Sequence, residues 1–495
     1  MRNAADREAT RRVAEFVAAV RFEDLPERVI ENAKLQILSV LAAALAGSRT
    51  PAGAAVLRAV RRRTEAQRGA GCTVIGSREP LPLRQALYAN AGFSMALDYD
   101  DYLFAGHTGH SAVLGSLAIA ESLGQGGREI LTAQVAANEI EGRIGASVLL
   151  GPLNGQLWSF IHAAGAAVAY ARALDLDAEA IESALGIALL QPPHPLQRGF
   201  FGSEAKTILA SRPAVDGIDA VELAVAGLPG ARGILDGDQG FVATLSPRPL
   251  VGAFSGLGTT WLTDTLCFKP YPGCAYIDSF VDACLGIARE NDLDPGRITQ
   301  VEIAASVLTV GMDALSRPYL RGTASDPVTV NFSVPYNAAV ALLDRELGPR
   351  QVSRERIDDP EVWKLAGRVS LRHDPGWSER LQRRSVIALA GGSAEHPEID
   401  LAKADLSDFE MAFGATVTVT LDDGRRLERV QAIPLGAAGR PRAETEALVR
   451  AKFTREAAAV LSPEDARRAA DLVGGFERCT PAQLRELLTC LRSEP

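Results

Sequence analysis

Residues 26–47 read PERVIENAKLQILSVLAAALAG, and this stretch sets the fold class. Alanine and leucine dominate it, both strong helix formers. Pro26 suits a first helical turn and Gly47 a C-terminal cap. Apolar residues fall on several faces instead of one stripe, the pattern of a helix enclosed by other helices. Outward from it, residues 84–95, 112–123, 129–149, 158–174 and 178–190 show similar apolar spacing, with glycine-rich punctuation such as 124–127 between them. From about residue 6 to 267 the chain reads as helix after helix, alanine-rich and closely packed in several layers.

The texture changes near residue 295. Residues 300–304, 369–371 and 385–389 are short β-like runs. Residues 415–421 alternate (ATVTVTL), Asp422-Asp423-Gly424 supplies a turn, and residues 427–435 return as the second arm of a hairpin. Helical stretches at 277–289 and 336–343 are interleaved, and from Glu444 the chain is helical again. A length of 495 residues favours two domains. The expectation is a mainly α protein with a smaller α+β part.

Hydrophobic residues at 47% and charged residues at 23% are ordinary for a globular chain. A net charge of −9 argues against nucleic acid as the main partner, because neutralising phosphates needs a basic field. The six cysteines form no C-x-x-C pair, so free core thiols in a reducing compartment are expected. The N-terminus lacks an apolar signal core, and residues 37–45 fall short of the ~20 a membrane span needs. The reading is cytoplasmic, with no membrane partner.

Chemistry concentrates in ALDYDDYLFAGHTGHS, residues 96–111. Asp98, Asp100, Asp101, His107 and His110 fall within thirteen residues, and Gly106 and Gly109 let the backbone turn the imidazoles into a cleft. Histidine exchanges protons near neutral pH, and a neighbouring carboxylate fixes its tautomer. The spacing matches no standard metal set, so no metal is expected. A solvated capping loop is the plain alternative. Lys206, in GSEAKT, suits a proton donor or a carboxylate clamp. Lys269 opens KPYPGC, where two prolines hold an extended lead into a helix whose first amides can bind a carboxylate. In VNFSVPYN, Ser333 and Tyr336 can hydrogen-bond a substrate or cap a helix.

In order and spacing these segments resemble the MmgE/PrpD family of 2-methylcitrate dehydratase and cis-aconitate decarboxylase. The matching stretches are Asn90 through ALDYDD to His107, the Lys206 loop followed by GILDGDQGF, KPYP at 269–272, FSVPY at 332–336, and VTLDDGRRLE with IPLG near the end. They span about residues 10 to 455. The resemblance implies a large all-helical domain built from both chain ends, residues 1–267 and 441–495, with an inserted α/β lid at 268–440. The active site would lie between them, and the protein would be a homodimer. By position the catalytic aspartate falls on Asp98, the first histidine on His107 in preference to His110, and the two lysines on Lys206 and Lys269. Asp101, Gln156, Tyr271, Ser333 and Tyr336 are the candidate substrate contacts. Gln156 stands where relatives carry a second histidine, and His162 follows six residues later.

The implied chemistry is cofactor-independent proton removal beside a carboxylate of a small polycarboxylic acid. Lys206 and Lys269 would hold carboxylates while His107 or His110, oriented by Asp98, moves the proton. A hydro-lyase of the 2-methylcitrate dehydratase kind comes first. Epimerisation of an iminodisuccinate-like diacid and cis-aconitate-type decarboxylation are the alternatives, and a degenerate carboxylate-binding dimer is the non-enzymatic one.

Overall fold

Residues 26–47 lie in a 22-residue helix, Glu27–Ser48, enclosed from Ala33 to Gly47. The computed structural model to which this helix belongs describes residues 8–64, 71–103, 106–151, 159–386, 400–406 and 409–492. The helix runs through Gly47 instead of stopping there. A β-carbon at Gly47 would lie 1.8 Å from the Phe93 carbonyl oxygen, so this glycine lets two helices touch and is not a cap. By length and composition Glu27–Ser48 can cross a membrane, but 83% of its apolar window is buried inside the protein. Here it is the central core helix.

Around it stand α1 (Ala9–Ala19), α3 (Pro51–Thr64), α4 (Leu83–Met95), α5 (Gly109–Leu123), α6 (Gly127–Ser147), α7 (Ser159–Ala173) and α8 (Ala178–Ala188), with Glu27–Ser48 as α2. The helix Ser211–Val225 packs on α4, α7 and α8. Three helices near the C-terminus, Arg442–Ala457, Pro463–Gly474 and Pro481–Cys490, rejoin this body, burying Val449, Phe453, Leu472 and Leu487 in the same core as α2.

A second core forms in the middle of the chain. Strands β3 (Ile298–Ala305), β4 (Val369–His373), β5 (Ala415–Leu421) and β6 (Arg426–Gln431) make a sheet in the order β4-β3-β5-β6, parallel only between β3 and β4. Val417 and Val419 of β5 are fully buried in one core with Phe280 and Val281 of the helix Asp278–Glu290 and Tyr336 of the helix Val334–Asp344. The hairpin turns at Gly424, whose φ of 83° is open to glycine without strain. The chain is thus mainly helical with a smaller α/β part. The strand expected at 385–389 is absent from its described portion. Gln382–Val386 is a wide helical turn, and the Ser385 hydroxyl donates to the Glu410 carbonyl at 2.5 Å. All six cysteines are free and buried.

A two-residue ladder in the first core is flanked along the chain by Leu97, Tyr99 and Tyr271 of the second. β1 (Asp101–Tyr102) pairs antiparallel with β2 (Cys267–Phe268), bringing the acid-rich turn after α4 beside the KPYP segment.

Candidate active site

The end of α4 delivers Asp98 into a left-handed backbone conformation, φ 52°, which aspartate tolerates better than most residues. Its carboxylate lies between two ammonium groups. Lys206 donates to Oδ2, and Lys269 to Oδ1 at 2.6 Å. Lys269 also donates to the Asp98 carbonyl at 2.9 Å and to Asp100 Oδ1 at 3.1 Å, which uses all three of its protons. The other Asp100 oxygen lies 3.1 Å from His107 Nδ1. His110 Nε2 is 3.0 Å from the same oxygen but off the direction a hydrogen bond needs. Asp100, and not the expected Asp98, is therefore the carboxylate that orients His107, while His110 Nδ1 is held 2.7 Å from the Ser94 hydroxyl.

Burial alone would raise the pKa of both acids. Lys206 and Lys269 outweigh it at Asp98, and Lys269 with the two imidazoles outweighs it at Asp100, so both stay ionised, Asp100 well below the usual carboxylate range. Burial pulls Lys269 the other way, but Asp100 and Asp98 more than compensate and raise its pKa.

Asp98, His107, Lys206 and His162 line one cavity of about 50 Å³, walled by Phe200 and Phe332. The Lys206 ammonium sits 4.9 Å from the Phe200 ring centre and 4.5 Å from that of Phe332, a cation–π arrangement that anchors it. Lys269 is wholly enclosed behind Asp98. The two lysines and His107, far apart in sequence, thus converge on one carboxylate pair where the two cores meet.

Asp101 faces away from this cavity. Gln36 donates to it at 2.7 Å, within a buried amide network with Thr108 and Asn138. A β-carbon at Gly109 would lie 2.0 Å from Asp101 Oδ1, so this glycine makes room for the acid; its expected part in turning the imidazoles is not what the geometry requires. Burial, and then Asp100, push the Asp101 carboxyl up to about 7. Tyr271, Ser333 and Tyr336 also lie elsewhere. The Tyr271 hydroxyl donates to Asp282 at 2.7 Å, Ser333 caps its helix by accepting from the Tyr336 amide, and the Tyr336 hydroxyl donates to the Gln351 carbonyl at 2.7 Å inside the second core. These contacts hold the α/β part. Gln156 lies outside the described residues.

Two residues not among the expected contacts belong to the site. His162 faces the cavity, with Nδ1 2.8 Å from the Ser111 hydroxyl. Lys452, buried beneath the acid-rich turn, donates to the Tyr99 carbonyl and to Ser39 at 3.0 Å. Burial pulls the Lys452 ammonium down to about 7. Asp100, His107 and His110 also bring ligand atoms within 4.8 Å of one another, a spacing that suits a metal ion. A cation there would stand beside the Lys269 ammonium, which disfavours it.

The family model for the MmgE/PrpD N-terminal domain matches residues 11–251, and that for the C-terminal domain matches residues 271–412. A cis-aconitate decarboxylase of Aspergillus terreus is 24% identical, covering 98% of this chain and 97% of its own. The cis-aconitate decarboxylase of Homo sapiens is 25% identical over 74% of this chain and 77% of its own. A cis-aconitate decarboxylase-like protein of Aspergillus oryzae is 23% identical over 98% and 97%.

Proposed function

The chain belongs to the MmgE/PrpD family, and from that premise we propose that it is a lyase which decarboxylates an unsaturated tricarboxylate such as cis-aconitate. The observation that carries the reading is the cavity in which Lys206, the one cation lining it among the described residues, stands beside an ionised Asp98 and two imidazoles. Lys206 spends one proton on Asp98 and keeps donor capacity for an incoming carboxylate. Lys269 has none left, so it fixes the acids and does not hold substrate.

In the proposed reaction the bond between CO₂ and the methylene carbon breaks, and its electron pair moves into the adjacent double bond. Charge accumulates beside a conjugated carboxylate. A preoriented ammonium in a dry site stabilises that charge more than water does, because it needs no reorganisation. A proton then closes the sequence at the far alkene carbon, and His107 and His162 both line the cavity to carry it. The relatives named decarboxylases over nearly the whole chain favour this reading over dehydration, the first expectation from sequence. Dehydration stays the second reading because two cavity-lining imidazoles also suit a reaction that needs both a base and an acid.

The test is conversion of cis-aconitate and of β-hydroxy tricarboxylates in D₂O, followed by NMR and CO₂ trapping. CO₂ release with an unsaturated dicarboxylate product is expected, and Lys206→Met should lower kcat/KM at least ~100-fold. Water loss selects the dehydratase, and α-deuteration without net conversion selects an epimerase. No conversion or exchange with any acid removes the enzyme reading.

A further inference from the structure

We propose that His162 delivers the proton in this reaction and is resupplied through Ser111 by the buried carboxyl of Glu141; the inference rests on the lyase reading above. The three residues come from three helices of the body, α5, α6 and α7. His162 is 3% exposed and lines the same cavity as Asp98, His107 and Lys206. Its Nδ1 lies 2.8 Å from the Ser111 oxygen, which in turn is 2.9 Å from each Glu141 oxygen.

Glu141 is completely buried, and among the described residues no Lys or Arg pairs with it. His162 Nδ1 lies 3.5 Å from Oε2, and with that ring neutral an ionised carboxylate here would have no counter-charge and be costly, so the group is taken as a carboxylic acid. Burial raises its pKa well above the usual range. Burial, and then His110 and His107, depress that of His162, which is accordingly neutral. The place is also built to fit. α7 carries Gly165 three residues after His162, on the same face, and a β-carbon there would lie 1.7 Å from Glu141 Oε1. A glycine within a helix weakens it, and here that weakening makes room for the acid.

With Glu141 assigned as the acid, the proposed proton order is Glu141 donating to the Ser111 oxygen and Ser111 donating to His162 Nδ1, across contacts of 2.9 and 2.8 Å. The remaining hydrogen of the neutral ring is on Nε2, the nitrogen left to meet a substrate. On turnover the Nε2–H bond breaks as the carbon–hydrogen bond forms. The Ser111 proton passes to Nδ1 and the Glu141 proton to Ser111. The imidazole stays neutral throughout, and the negative charge lost by the carbanion ends on Glu141, which regains a proton from solvent by the reverse path between turnovers. His107 lacks such a supply, because its Nδ1 rests on Asp100, a carboxylate already committed to Lys269.

Two measurements on the full chain test this. In ¹⁵N-histidine NMR, one ring should stay in the neutral Nε2–H form from pH 5.5 to 8.5, and its signal should vanish in His162→Gln. With cis-aconitate in D₂O, wild type should place deuterium on one face of the new methylene carbon. His162→Gln should lose at least ~100-fold in kcat and give deuterium on both faces, because solvent then supplies the proton. Glu141→Gln keeps a donor to Ser111 but has no proton to relay, so it should lower kcat about tenfold with KM unchanged. A ring that protonates near pH 6.5 or carries its hydrogen on Nδ1 overturns the relay. So does a His162→Gln enzyme that keeps stereospecific deuteration and more than a tenth of wild-type kcat. A wild type that shows the Nε2–H ring but converts no acid defeats the lyase reading and not the relay.

Discussion

Replacing Lys269 by methionine keeps the side-chain stem and removes only the charge. In the native protein that ammonium is fully buried and lies 2.6 Å from Asp98 Oδ1 and 3.1 Å from Asp100 Oδ1. Without it Asp98 still has Lys206, but Asp100 keeps only the two imidazoles. Breaking one partner out of a buried ion pair costs about 3–5 kcal/mol, because the other charge is left uncompensated. At about 2.1 cal/mol/K per residue over a helical body of roughly 300 residues, that is a fall of about 5–8 °C in melting temperature. The pH dependence has a definite sign. In wild type both carboxyl pKa values are depressed, so the stabilisation is present above the ordinary aspartate value and lost only as pH falls through the depressed ones. In Lys269→Met burial wins at Asp100, its pKa rises above the unfolded value, and stability is lost as pH rises. Thermal melts of both proteins at pH 5 and pH 7.5 should therefore show the wider gap at pH 7.5. An equal gap at the two pH values, or a variant as stable as wild type, would refute the charge-pair account of the site.

Two further substitutions probe the support of the acid-rich turn. Lys452→Met removes a buried amine whose pKa is pulled down to about 7, so wild type carries a penalty that grows as pH falls from the unfolded lysine value to that point. Its melting temperature at pH 7 should not drop, while kcat/KM falls about tenfold as the Tyr99 carbonyl is released; differential scanning calorimetry and the conversion assay read the two effects. Gly109→Ala places a methyl group 2.0 Å from Asp101 Oδ1 and 2.4 Å from Val40 Cγ2, so it should cost about 1–3 kcal/mol, measurable as a lower melting temperature.

The helical body was legible in residues 26–47 because apolar residues on every face have few other outcomes in so long a run. The hairpin was legible because strict alternation meets a turn signal at Asp423-Gly424. Local signals gave out where two structures share one chemistry. Tyr336 looks the same whether its hydroxyl meets a substrate or the Gln351 carbonyl. Asp98 and Asp100 are two residues apart and indistinguishable in sequence. The left-handed turn at Asp98 sends the first to the lysines, while the second stays beside β1 and meets the imidazoles. His162 was hidden for another reason. Which turn of α7 faces the cavity depends on its packing against α5 and α6, and no local motif encodes that.

Tyr99, between the two acids, shows why the turn holds its shape. Its carbonyl accepts from Lys452, and its hydroxyl meets Arg455 and Glu456, all from the helix Arg442–Ala457. On either side, the Asp98 carbonyl accepts from the Gly273 amide at 3.1 Å and from Lys269, and the Asp100 carbonyl accepts from the Lys269 amide at 3.2 Å. A left-handed aspartate costs on the order of 1 kcal/mol, and such a conformation persists only where the surroundings over-determine it. Here they do so from two directions, the returning C-terminal helix and the segment that leads into the α/β part. The acids are consequently fixed before any substrate arrives, which is the condition under which fixed charges stabilise a reacting anion better than solvent does.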